Sequence, residues 1–261
     1  MPGQGNLPTV VTRQEWLTAR KQLLEKEKAL TRARDEVNAE RRRLPMVLVE
    51  KPYAFEGPSG TVSLLDLFDG RPQLVMHHFM FDPAWDDPCR SCASAADSIA
   101  GLRQLHARNT SLVAVSRAPL AKLTGVKERM GWTFPWYSSH GSDFNYDFHA
   151  TLDDTVVPVL LHFRDEQELS ETGTPWTRGP WTPSMRGMEM PGISAFLRVG
   201  DDVFHTYSTF GRGIEEFHHG YPYLDLTALG RQEEWEEPAG RSVPLGLQAG
   251  GPNLRLPDQY E

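Results

Sequence analysis

Two cysteines are all that this 261-residue sequence contains. A scaffold stapled by disulfides is thereby excluded, because such domains rely on several bridges. No apolar run approaches the ~18 residues of a membrane span. The opening stretch, MPGQGNLPTVVTRQEW, lacks the charged-then-apolar order of a secretory signal. The expectation is a cytoplasmic protein without a membrane partner. Positive charge is also in short supply: 27 Lys and Arg stand against 35 Asp and Glu, a net charge of −8. Nucleic acid is not an expected partner, since its phosphates call for a basic face. No internal repeat is visible. With 22 glycines and 20 prolines the chain is loop-rich without having a disordered composition.

What is present suffices for one large domain with appendages. Thr12 and Glu15 have the spacing of a capping box, and a helix is expected from there to about Arg43, stopped by Pro45. Trp16, Leu23, Leu30, Val37 and Leu44 recur every seven residues. That stripe is narrow and suits a helix lying on a surface or paired with another helix. Ten basic and six acidic residues make Arg13–Leu44 a positive segment in an acidic chain. It reads as a solvated helix or an intersubunit arm, which would make the protein a homodimer. Nucleic-acid contact through Arg41, Arg42 and Arg43 ranks last.

Beyond the arm the pattern becomes that of an α/β layer fold. QLVMHHFMF (Gln73–Phe81) is a continuous apolar run, as in a strand covered on both faces. A loop, the pair Cys89-x-x-Cys92, a helix from Ala93 to about Arg108, a second buried strand SLVAVS (Ser111–Ser116) and a helix over Pro119–Met130 follow. Gly192–Val199 and Asp202–Phe210 read as a hairpin turning at Gly200-Asp201. Residues 151–190, with four prolines, read as an insertion. From Gln232 onward the chain is acidic and then rich in proline and glycine, as in an extended tail. The resulting division is an arm at 1–45, a domain at 46–231 and a tail at 232–261.

Two cysteines three apart are a spacing that chance rarely gives, and in a cytosolic protein the pair points to redox or metal chemistry. The alternative is a pair of inert buried thiols. The strings LPMVLVEKPYAFEGPSG, LFDGRPQLVMHHFMF, CRSC, VSRAPLAKL, RMGWTFPW, GSDFNYDF and VFHTYSTFGRG, with the arm, resemble a bacterial thioredoxin-like family of unknown function, catalogued under the number eight-nine-nine. The segment from Gly57 to Gly141 resembles the peroxiredoxin branch of the thioredoxin-like superfamily. The resemblance implies a thioredoxin-like fold in which the cysteine pair opens a helix. Backbone N–H groups and the helix dipole would then favour a Cys89 thiolate, with Cys92 as the resolving thiol. It also implies that Pro191 precedes the third core strand, faces the cysteines and is held cis.

A peroxidase role fits less well, because no hydroxyl stands between Pro83 and Pro88 to hold a peroxide. The leading expectation is a thiol–disulfide oxidoreductase or thiol-dependent reductase acting on a thiol or disulfide substrate. Asp86 and Asp87 oppose the thiolate, Arg90 favours it, and the sequence leaves the balance open. By analogy with copper-delivering relatives, Cys89, Cys92 and His205 form a second candidate, a Cu or Zn site. A non-catalytic scaffold is the third. Trp85, Arg90, Tyr146 and Tyr207 are candidate substrate contacts, with Asn145 and Asp143 near them. His77 and His78 read as core histidines, of which at most one can face the cysteines. His106, His140, His149, His162, His218 and His219 read as surface residues.

Overall fold

The capping box forms as expected. Thr12 Oγ1 accepts from the Glu15 N–H at 3.3 Å, and the Glu15 carboxylate accepts from the Thr12 N–H at 2.9 Å. From this cap the first helix, α1, runs over Arg13–Arg41. None of its residues is buried. It meets the body through polar groups: Arg34 pairs with Glu216 at 3.0 Å, and the Arg41 guanidinium lies 5.1 Å from the Tyr207 ring. The apolar stripe is left uncovered, with Trp16, Leu23, Leu30 and Val37 at 46, 50, 63 and 47% exposure.

The computed structural model describes residues 7–99, 101–172, 181–217, 220–237, 239 and 243–260. After α1 come strands β1 (Val47–Leu48), β2 (Ala54–Gly57), β3 (Gly60–Ser63) and β4 (Gln73–His78). Helices α2 (Arg90–Asp97) and α3 (Arg103–His106) lead to β5 (Thr110–Ser116), α4 (Leu120–Met130), β6 (Trp136–Ser138) and α5 (Phe144–Asp147). Then follow β7 (Thr151–Leu152), α6 (Glu166–Thr172), β8 (Met188–Glu189), β9 (Gly192–Val199), β10 (Asp202–Phe210) and α7 (Gly220–Leu224). The single helix expected from Ala93 to Arg108 is thus two short ones, with Gly101, a poor helix residue, between them.

Eight strands form one sheet in the order β1-β10-β9-β4-β5-β6-β2-β3. At its centre β4 and β5 are parallel, β9 is antiparallel to β4, and β10 is antiparallel to β9. That four-stranded arrangement, with a cysteine-bearing helix crossing from β4 to β5, is the thioredoxin-like fold. Alternation along β4 divides the core between two faces. Leu74 and Met76 join Phe55, Phe68, Phe144 and Phe196 on one side. Phe79 and Phe81, just beyond the strand, join Cys92, Ala93, Ala96, Trp132 and Trp136 on the other.

The two appendages read from composition are more tightly integrated than expected. In the 151–190 segment, β7 and β8 pair antiparallel, and Leu152, Val159, Leu161 and Leu169 build a third cluster with Met190 and Phe210; residues 173–180 lie outside the described residues. The C-terminal segment is irregular, as expected, but it is not a free tail. Leu256 is 1% exposed and belongs to the Cys92 cluster. Arg90 Nη1 donates to the Leu254 carbonyl at 3.0 Å, and Arg129 pairs with Asp258 at 3.2 Å. Leu256 docks its side chain against the cysteine helix and Leu254 its carbonyl, a pattern hidden within a stretch dominated by loop-forming residues.

Candidate thiol site

The chain leaves β4 through a loop fixed by its own polar groups. Asp82 accepts from the Ala84 and Trp85 N–H groups, through its side chain at 2.7 Å and its carbonyl at 3.0 Å. Lys122 Nζ donates to the carbonyls of Pro83 and Trp85 at 2.9 and 2.6 Å. The Cys89 N–H donates to the Met80 carbonyl at 3.1 Å, which closes the loop at the start of α2. Cys89 is therefore the N-cap residue, and Cys92 stands one turn in. Both thiols are free; Cys89 is half-buried and Cys92 is 1% exposed.

The two thiols are not equivalent. Cys89 is lowered to about 7, chiefly because Cys92 hydrogen-bonds its sulfur, with further donation from the backbone N–H groups of Cys92 and Ser91. Cys92 is pushed up by the same hydrogen bond, viewed from its other end, and by burial. The charges flanking the pair are spent elsewhere. Asp87 is paired with Arg129 at 2.9 Å, and the Arg90 guanidinium turns to the C-terminal segment. Helix-start amides and the partner thiol, rather than Arg90, favour the thiolate.

Cys89 and Cys92 line a cavity of about 610 Å³. Its walls are Met80, Ser91, Met188, Glu189, Met190 and Pro191, with His162 beside them. Residues of the 211–221 segment and the pair Ala249 and Gly250 complete it. Pro191 thus lines the same cavity as the two cysteines. Its carbonyl accepts from the Gly211 N–H at 3.0 Å. Gly192 is needed next to it, because a Cβ there would run into the Phe210 ring.

Behind the wall lies a buried ion cluster. Arg117 donates to Glu189 Oε1 at 2.8 Å, binds Asp82, and reaches the Tyr146 hydroxyl at 3.3 Å. Thr151 Oγ1 also donates to Glu189 Oε1, at 2.9 Å. Burial raises the Glu189 carboxyl, while Arg117 and Thr151 pull it back. The cluster ties the loop after β4, the loop after β5 and strand β8 together at the cysteine end of the sheet.

None of the four candidate substrate contacts lines the cavity. Tyr146 is engaged with Arg117, Tyr207 faces Arg41, Arg90 holds the C-terminal segment, and Trp85 is exposed on the loop surface. Asn145 bonds Ser139 at 2.6 Å, and Asp143 pairs with Lys51 at 2.8 Å.

The Cu or Zn set does not assemble either. The His205 ring packs on Phe148 and Phe196, within the cluster on the far face of the sheet from Cys92. Its Nε2 hydrogen-bonds Ser208 Oγ at 2.7 Å. Among the described residues no three His, Cys, Asp or Glu side chains stand together as a metal site. His162, expected at the surface, is instead a wall residue; His218 and His219 lie outside the described residues.

His205 ends a buried relay that runs through Ser208 and Ser194 to His78, with steps of 2.7, 2.6 and 2.7 Å. Burial lowers His78 to about 3, helped by the neighbouring His77 and His205. Its Nδ1 has no acceptor, so a second proton there would be buried and unpaired. The unfolded chain takes up that proton near pH 6.5, whereas the folded one resists it until about pH 3. His78 therefore costs no stability above pH 6.5 and about 1.4 kcal/mol per pH unit below it. Urea unfolding at pH 7 and pH 5 is expected to differ by about 2 kcal/mol from this residue alone. Equal stability at both values would refute the assignment.

A sequence profile described as a bacterial protein of unknown function, DUF899, matches residues 5–260. The chain belongs to this family. The match includes the C-terminal segment, in agreement with its docking on α2. No curated protein matches the chain. Among solved structures, a mutant of PrxQ from Xylella fastidiosa is similar at 13% identity, covering 69% of this chain and 94% of that one, with a TM-score of 0.41. The peroxidoxin BcpB of Mycobacterium tuberculosis is similar at 14% identity, with coverages of 67 and 92% and a TM-score of 0.41. A putative protein disulfide isomerase from Bacteroides thetaiotaomicron is similar at 19% identity over 40% of this chain and 65% of that one, with a TM-score of 0.29.

The site residues that sequence reasoning missed in this DUF899 chain are Glu189, Arg117, Met188, Met190, Ile214, Tyr221 and the pair Ala249 and Gly250. Met190 and Glu189 adjoin Pro191, the one marker that pointed toward them. Arg117 and the residues at 214, 221 and 249–250 carried no local signal, since they reach the site from distant parts of the chain.

Proposed function

We propose that the protein is a thiol–disulfide oxidoreductase in which Cys89 is the nucleophile and Cys92 the resolving thiol. The observation that carries this reading is the inequality of the pair at the head of a helix, on the wall of a cavity. Cys89 is poised as a thiolate near neutral pH, and Cys92 is held as the thiol that stabilises it. The Cys89 thiolate attacks one sulfur of a disulfide, forming a mixed disulfide and expelling one thiolate. Cys92 then gives up its proton and attacks the Cys89 sulfur. The second thiolate leaves, and a Cys89–Cys92 disulfide remains. The substrate gains two electrons and the protein loses two, to be restored by a dithiol.

Iodoacetamide labelling of the reduced protein, followed residue by residue, tests the assignment. Cys89 should be alkylated at least about tenfold faster than Cys92 at pH 7, with its rate at half-maximum near pH 7. Equal and slow labelling of both would overturn it.

The arm supports a proposal about assembly. Its stripe repeats every seven residues, the spacing that keeps apolar side chains on one seam between paired helices. The body contacts α1 through Arg34 and Arg41 and leaves the seam open. The occupant supported by this pattern is α1 of a second copy. Light scattering is then expected to give twice the mass of the chain for the full protein, and a lower mass for Leu23→Lys/Leu30→Lys. A monomeric full-length protein would reject the assembly.

A further inference from the structure

We infer that the substrate of this site is a small, uncharged disulfide with apolar arms rather than a protein disulfide or glutathione disulfide; the inference rests on the oxidoreductase reading above. A cavity of about 610 Å³ is in the range that encloses a small molecule. Its wall is built from Met80, Met188, Met190, Pro191, Ile214 and Tyr221. Three of these are methionines, whose flexible thioether chains adapt to apolar groups of varied shape.

The charges at this wall are already satisfied. Glu189 is held by Arg117 at 2.8 Å, and Arg212 is paired with Glu215 at 2.9 Å and stacked 4.8 Å from the Trp235 ring. A carboxylate entering with glutathione disulfide would meet the carboxylates of Glu189 and Glu215, and the Arg212 charge beside them is already balanced by Glu215. Access argues the same way. Gly211, Ile214, Glu215 and Tyr221 line the cavity together with Cys89 and Ala249-Gly250, so a folded protein, too large for a cavity of this size, would need it opened wider to seat its disulfide among them. An alkyl arm needs no such opening and gains by leaving water.

The reaction is the exchange already written, with two alkanethiols as products and a dithiol as electron donor. The test compares diethyl, dipropyl and dibutyl disulfide, glutathione disulfide and insulin as substrates of the wild-type protein, with dithiothreitol as donor and the uncatalysed rate subtracted. Each step in this series adds one methylene to each arm, and kcat/KM is expected to rise about fourfold for every methylene that becomes buried, the value of ~0.8 kcal/mol per CH₂, hence about fourfold to fifteenfold per step. Glutathione disulfide should fall at least about tenfold below dibutyl disulfide, and insulin lower still.

A second readout does not depend on disulfide chemistry. 1-Octanol should slow iodoacetamide labelling of Cys89, and sodium acetate at equal concentration should not. Insulin or glutathione disulfide reduced as fast as dibutyl disulfide, or no effect of chain length, would overturn the inference while the oxidoreductase reading stood. Protection by octanol with no disulfide reduced at all would overturn the oxidoreductase reading and leave the apolar binding site in place.

Discussion

The Cys92→Ser protein, mixed with a symmetric dialkyl disulfide, is expected to stop at one mixed disulfide per chain, and Cys89→Ser at none. The first attack needs only the Cys89 thiolate at the head of α2. The second needs a sulfur nucleophile one turn into the helix, and a serine hydroxyl is too weakly acidic to replace it. Intact-mass measurement reads the trapped adduct directly. Steady turnover should fall at least about a hundredfold in both variants. A mixed disulfide on Cys92, or full turnover in either variant, would remove the assigned roles. Cys92→Ala adds a sharper expectation. Because the hydrogen bond from Cys92 is the largest cause holding Cys89 down, its loss should raise the Cys89 pKa, while Cys92→Ser keeps a donor and should raise it less.

Replacing Arg117 with Leu should be the most damaging change outside the cysteines. Its guanidinium compensates two carboxylates, Asp82 and Glu189, and Glu189 is deeply buried. Removing one partner from a buried ion cluster typically costs about 3–5 kcal/mol, because the remaining charge is left without compensation. The pH dependence identifies the cause. Without Arg117, burial should raise Glu189 further, so the folded state would hold a proton that the unfolded chain gives up. Stability contributed by that proton is present at low pH and lost as pH rises through the raised value. Both proteins keep His78 and lose stability through it as pH falls, so the stability gap between wild type and Arg117→Leu should narrow between pH 7.5 and pH 5. Parallel pH profiles for the two proteins would show that Glu189 is not the group left uncompensated.

Much of the framework was legible along the chain because its signals are local. Thr12 and Glu15 are three residues apart and cap α1 without help from the body. The apolar runs at Gln73–Phe81 and Ser111–Ser116 announce central strands because a strand covered on both faces has no polar side to show. Gly200-Asp201 sets the hairpin, and Gly131 ends α4 in the left-handed conformation at φ 68°. The cysteine pair is likewise local, since one helical turn is all that separates nucleophile from resolving thiol.

Sequence by itself determined the thioredoxin-like core, the N-terminal helix and the spacing of the cysteine pair. Only the tertiary structure decided what surrounds the thiols. The cavity wall comes from the loop after β4, strand β8, Gly211–Glu215, Tyr221 and a C-terminal stretch whose Leu256 packs with Cys92. Such contacts depend on which distant segments the sheet brings to one edge, and no spacing records that. His205 shows the same limit from the other side. Its place in the hairpin beside Pro191 suggested a ligand for the cysteines, yet the strand pleat turns it to the opposite face, where the serines of β9 and β10 join it to His78.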